Sequence, residues 1–244
     1  MKAVELDPNS GEARTALGRV ELYRDLDVAA AEDTFKNAIP LDPNYAIVHH
    51  SYGELLAATG RFQEAIKEKR EAVLLDPLSL VIKAALADLL SLAGQQDAAE
   101  EELKLVFEMD QHYPSAHEIL GDMYTRKGMY NQAIREYQVS EANGGDELWG
   151  ALGHAYALSG NKQEALKMFS QLQELEKRSG SASYDLAVVE VGLGNKDKAL
   201  AWLEKAYQEH NDDGLLWLKV DPKFDRLRAD PRFKDLLRRM NVPP

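Results

Sequence analysis

The groups in this 244-residue chain that could do chemistry are its six histidines and its plentiful carboxylates, because it contains no cysteine. Thiolate zinc sites, disulfides and cysteine nucleophiles are thereby removed. His49 and His50 are the best metal candidates by proximity. Neighbours on a helix point about 100° apart, however, and cannot close on one ion. His112 and His117 lie across a helix start and lack the i, i+4 spacing that puts two ligands on one helical face. The run Glu100, Glu101, Glu102 offers paired acids for proton transfer, but it falls on the solvent side of a predicted helix and reads as a solubility feature. There is no phosphate-cradling G-x-x-x-x-G-K-[ST] loop, no G-x-G-x-x-G and no G-x-S-x-G. No catalytic residue, cofactor site or metal site is assigned. The expected reading is a protein that is not an enzyme and needs no cofactor.

Charge narrows the partner class. A formal charge of −12 argues against general nucleic-acid binding, which needs clustered Lys and Arg for phosphate contacts. Residues 221–239 depart from this trend with seven basic against four acidic side chains. They are expected to form a solvated helix whose Arg238 and Arg239 suit the negative end of the helix dipole. No segment approaches the roughly 20 apolar residues of a membrane span and no signal peptide is visible, so a soluble, cytoplasmic chain is expected.

The elements that would have to position any site are set by an internal period. Ala31, Ala65, Ala99, Ala133, Ala165 and Ala199 are separated by 34, 34, 34, 32 and 34 residues, and Gly60, Gly94, Gly128, Gly160 and Gly194 precede the last five by a constant step. Within one period, YNQAIREYQVSEA places Tyr130, Ala133, Ile134 and Tyr137 on one helical face, and AHEILGDMYTRKG does the same with Ile119, Leu120, Met123 and Tyr124 before the stop at Gly128. Each unit is a helix, a short turn and an antiparallel helix. Large-small pairs such as Leu17-Gly18, Tyr52-Gly53, Leu120-Gly121 and Leu152-Gly153 allow close helix crossing. A larger plug four residues after each repeat alanine, at Phe35, Leu103, Tyr137, Phe169 and Leu203, is expected to fill the space opposite, with Lys69 the exception.

This pattern resembles the tetratricopeptide repeat, whose W-x-x-L-G-x-x-Y, A-x-x-x-F and P positions are matched best by Trp149, Leu152, Gly153, Tyr156, Ala165 and Phe169. The resemblance implies an all-α solenoid, a right-handed superhelix of helix pairs. Six units are expected at 11–45, 46–79, 80–113, 114–145, 146–179 and 180–213, with capping helices at 214–244. Departures are the missing turn glycine of the first unit, the shortened connection 143–145, and Ser183 and Glu190 at aromatic positions of the last unit. The recurring stretch KAVELDPNS, KNAIPLDPNY and REAVLLDPLS is the end of a second helix followed by a proline stop. Its first copy leaves half a unit at residues 1–10, which suggests a piece of a longer protein and self-association through Val4, Leu6 and the N-terminal edge.

The resemblance also implies a concave groove lined by first helices and a function in protein-protein interaction, with a peptide or protein segment as partner. The expected groove residues are Arg19, Glu54, Asp88, Asp122 and His154, flanked by His50 and Glu118. The acidic middle of this row suggests a basic partner, and reversal of Glu54, Asp88 and Asp122 to Lys is expected to leave the array folded. The family's Lys-Asn-Asn-Lys-Arg carboxylate clamp is absent, since the corresponding positions hold His50, Glu54, Ala85, Ser115 and Ile119. The tail resembles the C-terminal ends of bacterial multidomain proteins in which such repeats follow a Ser/Thr kinase or a winged-helix regulator. The chain as an accessory region of such a protein is therefore the alternative reading.

Overall fold

The computed structural model describes residues 7, 9–209 and 213–240, so Val4 and Leu6 lie outside the described residues. Two compact units, 7–102 and 103–240, are each built of helix hairpins. In the first, α1 (Gly11–Tyr23) packs on α2 (Val28–Ala38) and α3 (Ala46–Ala58) on α4 (Phe62–Leu75), with α5 (Leu80–Leu92) following. The border between the units falls within α6 (Gln96–Met109). The second pairs α7 (Pro114–Arg126) with α8 (Tyr130–Ala142), α9 (Trp149–Leu158) with α10 (Lys162–Ser179), and α11 (Ser183–Gly192) with α12 (Lys196–Glu209). First helices also meet, α1 on α3 and α9 on α11. Among the described residues there is no strand.

Turn chemistry explains the hairpins. Gly60, Gly94, Gly128, Gly160 and Gly194 all take positive φ between 72° and 85°, the left-handed conformation that ends one helix and aims the next. The α1–α2 hairpin has no such glycine, and there Leu26 adopts φ 51° instead, an uncommon conformation for a bulky side chain.

Close helix crossing is visible in the small-residue positions. A Cβ added at Gly18 would lie 2.7 Å from Phe35, one at Gly53 2.9 Å from Lys69, and one at Gly121 2.5 Å from Tyr137. Each plug therefore rests on the glycine of the first helix in its own hairpin. The best-matching unit differs: Gly153 is covered most closely by Val189 and Met168, while Phe169 packs against the cluster of Leu172, Ala182, Leu186 and Val189 and edge-on to Trp202. Polar replacements in the last hairpin are satisfied internally. Glu176, buried at the end of α10, accepts hydrogen bonds from the Ala182 amide and the Ser183 hydroxyl, and Glu190 accepts one from Asn195 Nδ2.

The tail folds as two 3-10 turns, Asp213–Trp217 and Pro222–Leu227, and a helix, α13 (Pro231–Arg239). Asp221 and Asp230 cap the last two of these, accepting from the amides of Lys223 and Arg232 with proline at the first helical position. Leu215, Leu218, Phe224, Leu227 and Phe233 have no exposed surface. Phe224 stacks on Phe233 and meets Tyr184 of α11 edge-on. At about 1.5–3 kcal/mol for each fully buried large apolar side chain, the segment is firmly attached to the last hairpin. Its cations are not simply solvated: Arg232 pairs with Asp197, Arg239 with Glu204 and Asp235, and Lys223 turns inward.

Candidate functional site

Each compact unit carries one charged cluster beside its own first helices. In the first, Lys69 stands at a plug position where other hairpins carry Phe35 or Tyr137, and its side chain is 2% exposed. Its ammonium lies 3.0 Å from His50 Nδ1 and 3.6 Å from Glu54 Oε1. His50 Nε2 is 3.2 Å from Glu54 Oε1, and Tyr23 donates to Glu54 Oε2 at 2.6 Å. A His50 tautomer with hydrogen on Nε2 satisfies both neighbours, accepting from Lys69 and donating to Glu54. Burial pushes the Glu54 carboxyl up, but the Lys69 charge and the hydrogen bonds from His50 and Tyr23 outweigh it and hold Glu54 at about 2. For Lys69 burial wins, pulling it down to about 8 against the attraction of Glu54 and Asp88. The two shifts oppose each other, so the pair adds little net stability while being costly to break.

The second cluster centres on Asp122 of α7. Tyr137 donates to its Oδ1 at 2.7 Å, and Lys223 from the tail reaches the same oxygen at 3.1 Å while lying 3.9 Å from Asp221. Tyr184 in turn donates to Asp221 Oδ2 at 2.8 Å. Burial raises the Asp122 carboxyl, yet Lys223, Arg126 and Tyr137 together keep it below the ordinary carboxylate range. Burial likewise opposes the charge on Lys223, and Asp122 and Asp221 override it, raising its pKa. Lys223 keeps a fifth of its side-chain surface exposed, so it sits at the floor of an open face and not in a dry core.

The expected groove residues are thus placed in different environments. Arg19 is exposed. His50 and Glu54 belong to the Lys69 cluster, and Asp122 belongs to the Lys223 cluster. Asp88 and Glu118 are half-buried on α5 and α7. His154 is 5% exposed, and burial, helped by the nearby Lys223 charge, lowers its pKa to about 4, leaving it neutral at ordinary pH. The expectation that Glu54, Asp88 and Asp122 tolerate joint reversal to Lys is corrected by this geometry. Reversal at the first and third would set a new cation against Lys69 or Lys223 in a buried setting.

Two histidines that form no metal pair in the sequence have hydrogen-bonding partners in the structure. His49 Nδ1 faces Glu68 Oε2 at 2.7 Å and its Nε2 faces the Pro43 carbonyl at 3.1 Å. His117, two periods of 34 later, faces Glu136 at 2.8 Å and the Gln111 carbonyl at 3.1 Å. Each ring pins a first helix to its second helix and to the preceding turn. Both nitrogens of His49 face acceptors, and the Glu68 hydrogen bond raises its pKa despite burial. The signal was present in the sequence as a His-to-Glu spacing of 19 residues that recurs after 68.

Comparison with known proteins places this geometry in a wider set. A family model described as tetratricopeptide repeat matches residues 15–79 and 151–214. Among curated proteins, the human protein O-mannosyl-transferase TMTC1 is 29% identical over 222 residues, covering 88% of this chain and 25% of that protein. Superkiller protein 3 of Schizosaccharomyces pombe is 25% identical over 221 residues, covering 80% of this chain and 15% of its own. The chain spans a quarter or less of the length of these relatives. Among solved structures, the Cut9-Hcn1 assembly of the APC/C contains a chain that superposes with a TM-score of 0.65 at 19% identity, over 98% of this chain and 44% of that one. At that identity the likeness concerns the fold alone.

Proposed function

The chain belongs to the tetratricopeptide repeat family, and on that premise we propose that it is a non-catalytic scaffold holding a peptide or protein segment against the face made by its first helices. The observation that carries this reading is the way those helices are fixed. Glycine-plug contacts hold α1, α3 and α7 against their partner helices, and the His49 and His117 latches reinforce α3 and α7, so these parts of the face are preorganised before anything binds. A rigid surface of this kind loses little entropy on docking an extended or helical segment.

The partner's charge is a finer question. Glu54 and Asp122 already have cations from within the chain, which takes two of the expected acids out of contention as the main attraction. Asp88 and Glu118, half-buried on α5 and α7, are the remaining expected acids, and substitution tests what each contributes to holding a basic segment. Superkiller protein 3 and TMTC1 contain the matched region as a small part of a longer protein. That supports the second reading, in which this array is the interaction region of a larger protein whose active domain lies elsewhere.

The test is a selection of displayed random peptides against the full chain, with the selected sequences titrated calorimetrically against the natural protein and the double variant Asp88→Lys/Glu118→Lys. Saturable binding is expected, weakened about tenfold or more by the double change and by raised salt, which screens exposed charges beyond roughly 8–10 Å. Binding that ignores both changes would place the partner away from the acids of the first-helix face. No selected peptide at all would contradict the scaffold reading.

A further inference from the structure

Beside the Lys223 cluster lies a cavity of about 170 Å³. Its walls include the carbon surfaces of Leu158, Val191 and Pro222, with Arg226 exposed at the edge. His154 also lines it, and His154 Nδ1 is buried with no hydrogen-bond partner. A Cβ added at Gly192 would lie 2.9 Å from His154 Cδ2, so that edge of the ring faces α11 and the Nδ1 edge faces away from it. A buried ring nitrogen without a partner is costly, and most such groups in folded proteins are satisfied by something.

The chemistry of the occupant follows from three features. The volume slightly exceeds the roughly 150 Å³ of an apolar cavity known to hold benzene, so one aromatic ring fits. His154 Nδ1, a neutral imidazole nitrogen with no hydrogen-bond partner, calls for one hydroxyl. The charges around the cavity are engaged within the chain: Lys223 is shared between Asp122 and Asp221, each carboxylate also accepts from a tyrosine hydroxyl, Arg126 adds its attraction to Asp122, and Asp225 pairs with Arg228. A charged guest would lose its hydration with no free counter-charge inside, since Arg226 lies out in solvent.

We propose that the cavity receives the tyrosine side chain of a docked segment, its ring against Leu158, Val191 and Pro222 and its hydroxyl hydrogen-bonded to His154 Nδ1. The proposal deepens the peptide-binding reading and rests on it. The subsite is assembled jointly by α9, α11 and the tail turn, which explains why Pro222–Leu227 is anchored by Asp221 and Lys223 at this face.

Histidine side-chain NMR of the nitrogen-15-labelled full chain tests the cavity without any natural partner. p-Cresol, the tyrosine side-chain analogue, is expected to shift the His154 Nδ1 resonance saturably. p-Xylene, which replaces the hydroxyl by a methyl group, should bind about tenfold more weakly. Leu158→Trp, checked for unchanged helix content by circular dichroism, should remove p-cresol binding by filling the cavity. Acetyl-Gly-Tyr-Gly-amide should give the same shift as p-cresol and compete with it. Absence of any p-cresol shift would mean that water alone satisfies His154, and equal binding of p-cresol and p-xylene would remove the hydroxyl contact; either overturns the proposal. Binding of p-cresol without the tripeptide would overturn the peptide source in favour of a free phenol, leaving the scaffold reading to its own test.

Discussion

Gly121→Leu is expected to destabilise the 103–240 unit by about 3–5 kcal/mol, more than any exposed substitution in the chain. A Cβ at this position would stand 2.5 Å from Tyr137 Cε1 and 2.7 Å from Cδ1, so the ring would have to move. Tyr137 is fully buried and its hydroxyl holds Asp122 at 2.7 Å and contacts Thr125 at 3.1 Å, so retreat of the ring abandons these bonds. Overpacking alone costs about 1–3 kcal/mol, and stripping a hydrogen bond from a buried group adds a comparable amount. Glu101→Leu, on an exposed position of α6, should stay within about 0.5 kcal/mol. Urea melts of the two variants give the ranking directly. A Gly121→Leu protein as stable as the natural one would show that α7 and α8 do not cross where the glycine-tyrosine contact puts them.

Glu54→Ala has the second large expected effect. It removes the carboxylate that Lys69, His50 and Tyr23 all address, leaving a lysine 2% exposed with its nearest anion gone. Breaking a buried pair in this way costs about 3–5 kcal/mol. Replacing both partners, as Glu54→Leu/Lys69→Phe, should recover most of the loss, because other hairpins fill the same plug position with an aromatic ring. The pH dependence has a definite sign. The folded Glu54 pKa of about 2 lies below the ordinary value of 4.5, so its contribution is fully present above about pH 4.5 and is lost as pH falls toward 2. That shift corresponds to about 3 kcal/mol. The loss of stability between pH 4.5 and 2 should therefore be smaller in Glu54→Ala than in the natural protein. Equal acid sensitivity would mean that Glu54 makes no folded-state ion pair.

Much of the architecture could be read from spacing. The alanine and glycine series set the hairpins because a close crossing tolerates only small side chains and a helix reversal needs positive φ, and both demands recur once per period. The Asp-Pro pairs of the tail act just as locally, since each is a cap followed by a residue that cannot donate an amide. Side-chain pairing across elements was not. Lys69 was visible as an exception at a plug position, but nothing local says that its ammonium meets Glu54 on the preceding helix. Lys223 reaches Asp122 across 101 residues because the tail folds back on its own unit, a contact without any sequence signal. Phe169 occupied the expected phase and still left Gly153 to Val189 and Met168, because packing between neighbouring hairpins overrode the pattern within one. The three acids of the candidate row fall at half-buried positions of first helices, and the lysines that meet Glu54 and Asp122 come from other elements, which spacing alone does not reveal.

The central claim is that first helices form the binding face. Hydrogen exchange of the full chain, measured with and without a peptide from the display selection, addresses it most directly. Docking on that face predicts slowed amide exchange in α3, α5, α9 or α11, with the second helices α4, α8 and α10 unchanged. Protection confined to those second helices, with the first helices unaffected, would contradict the account.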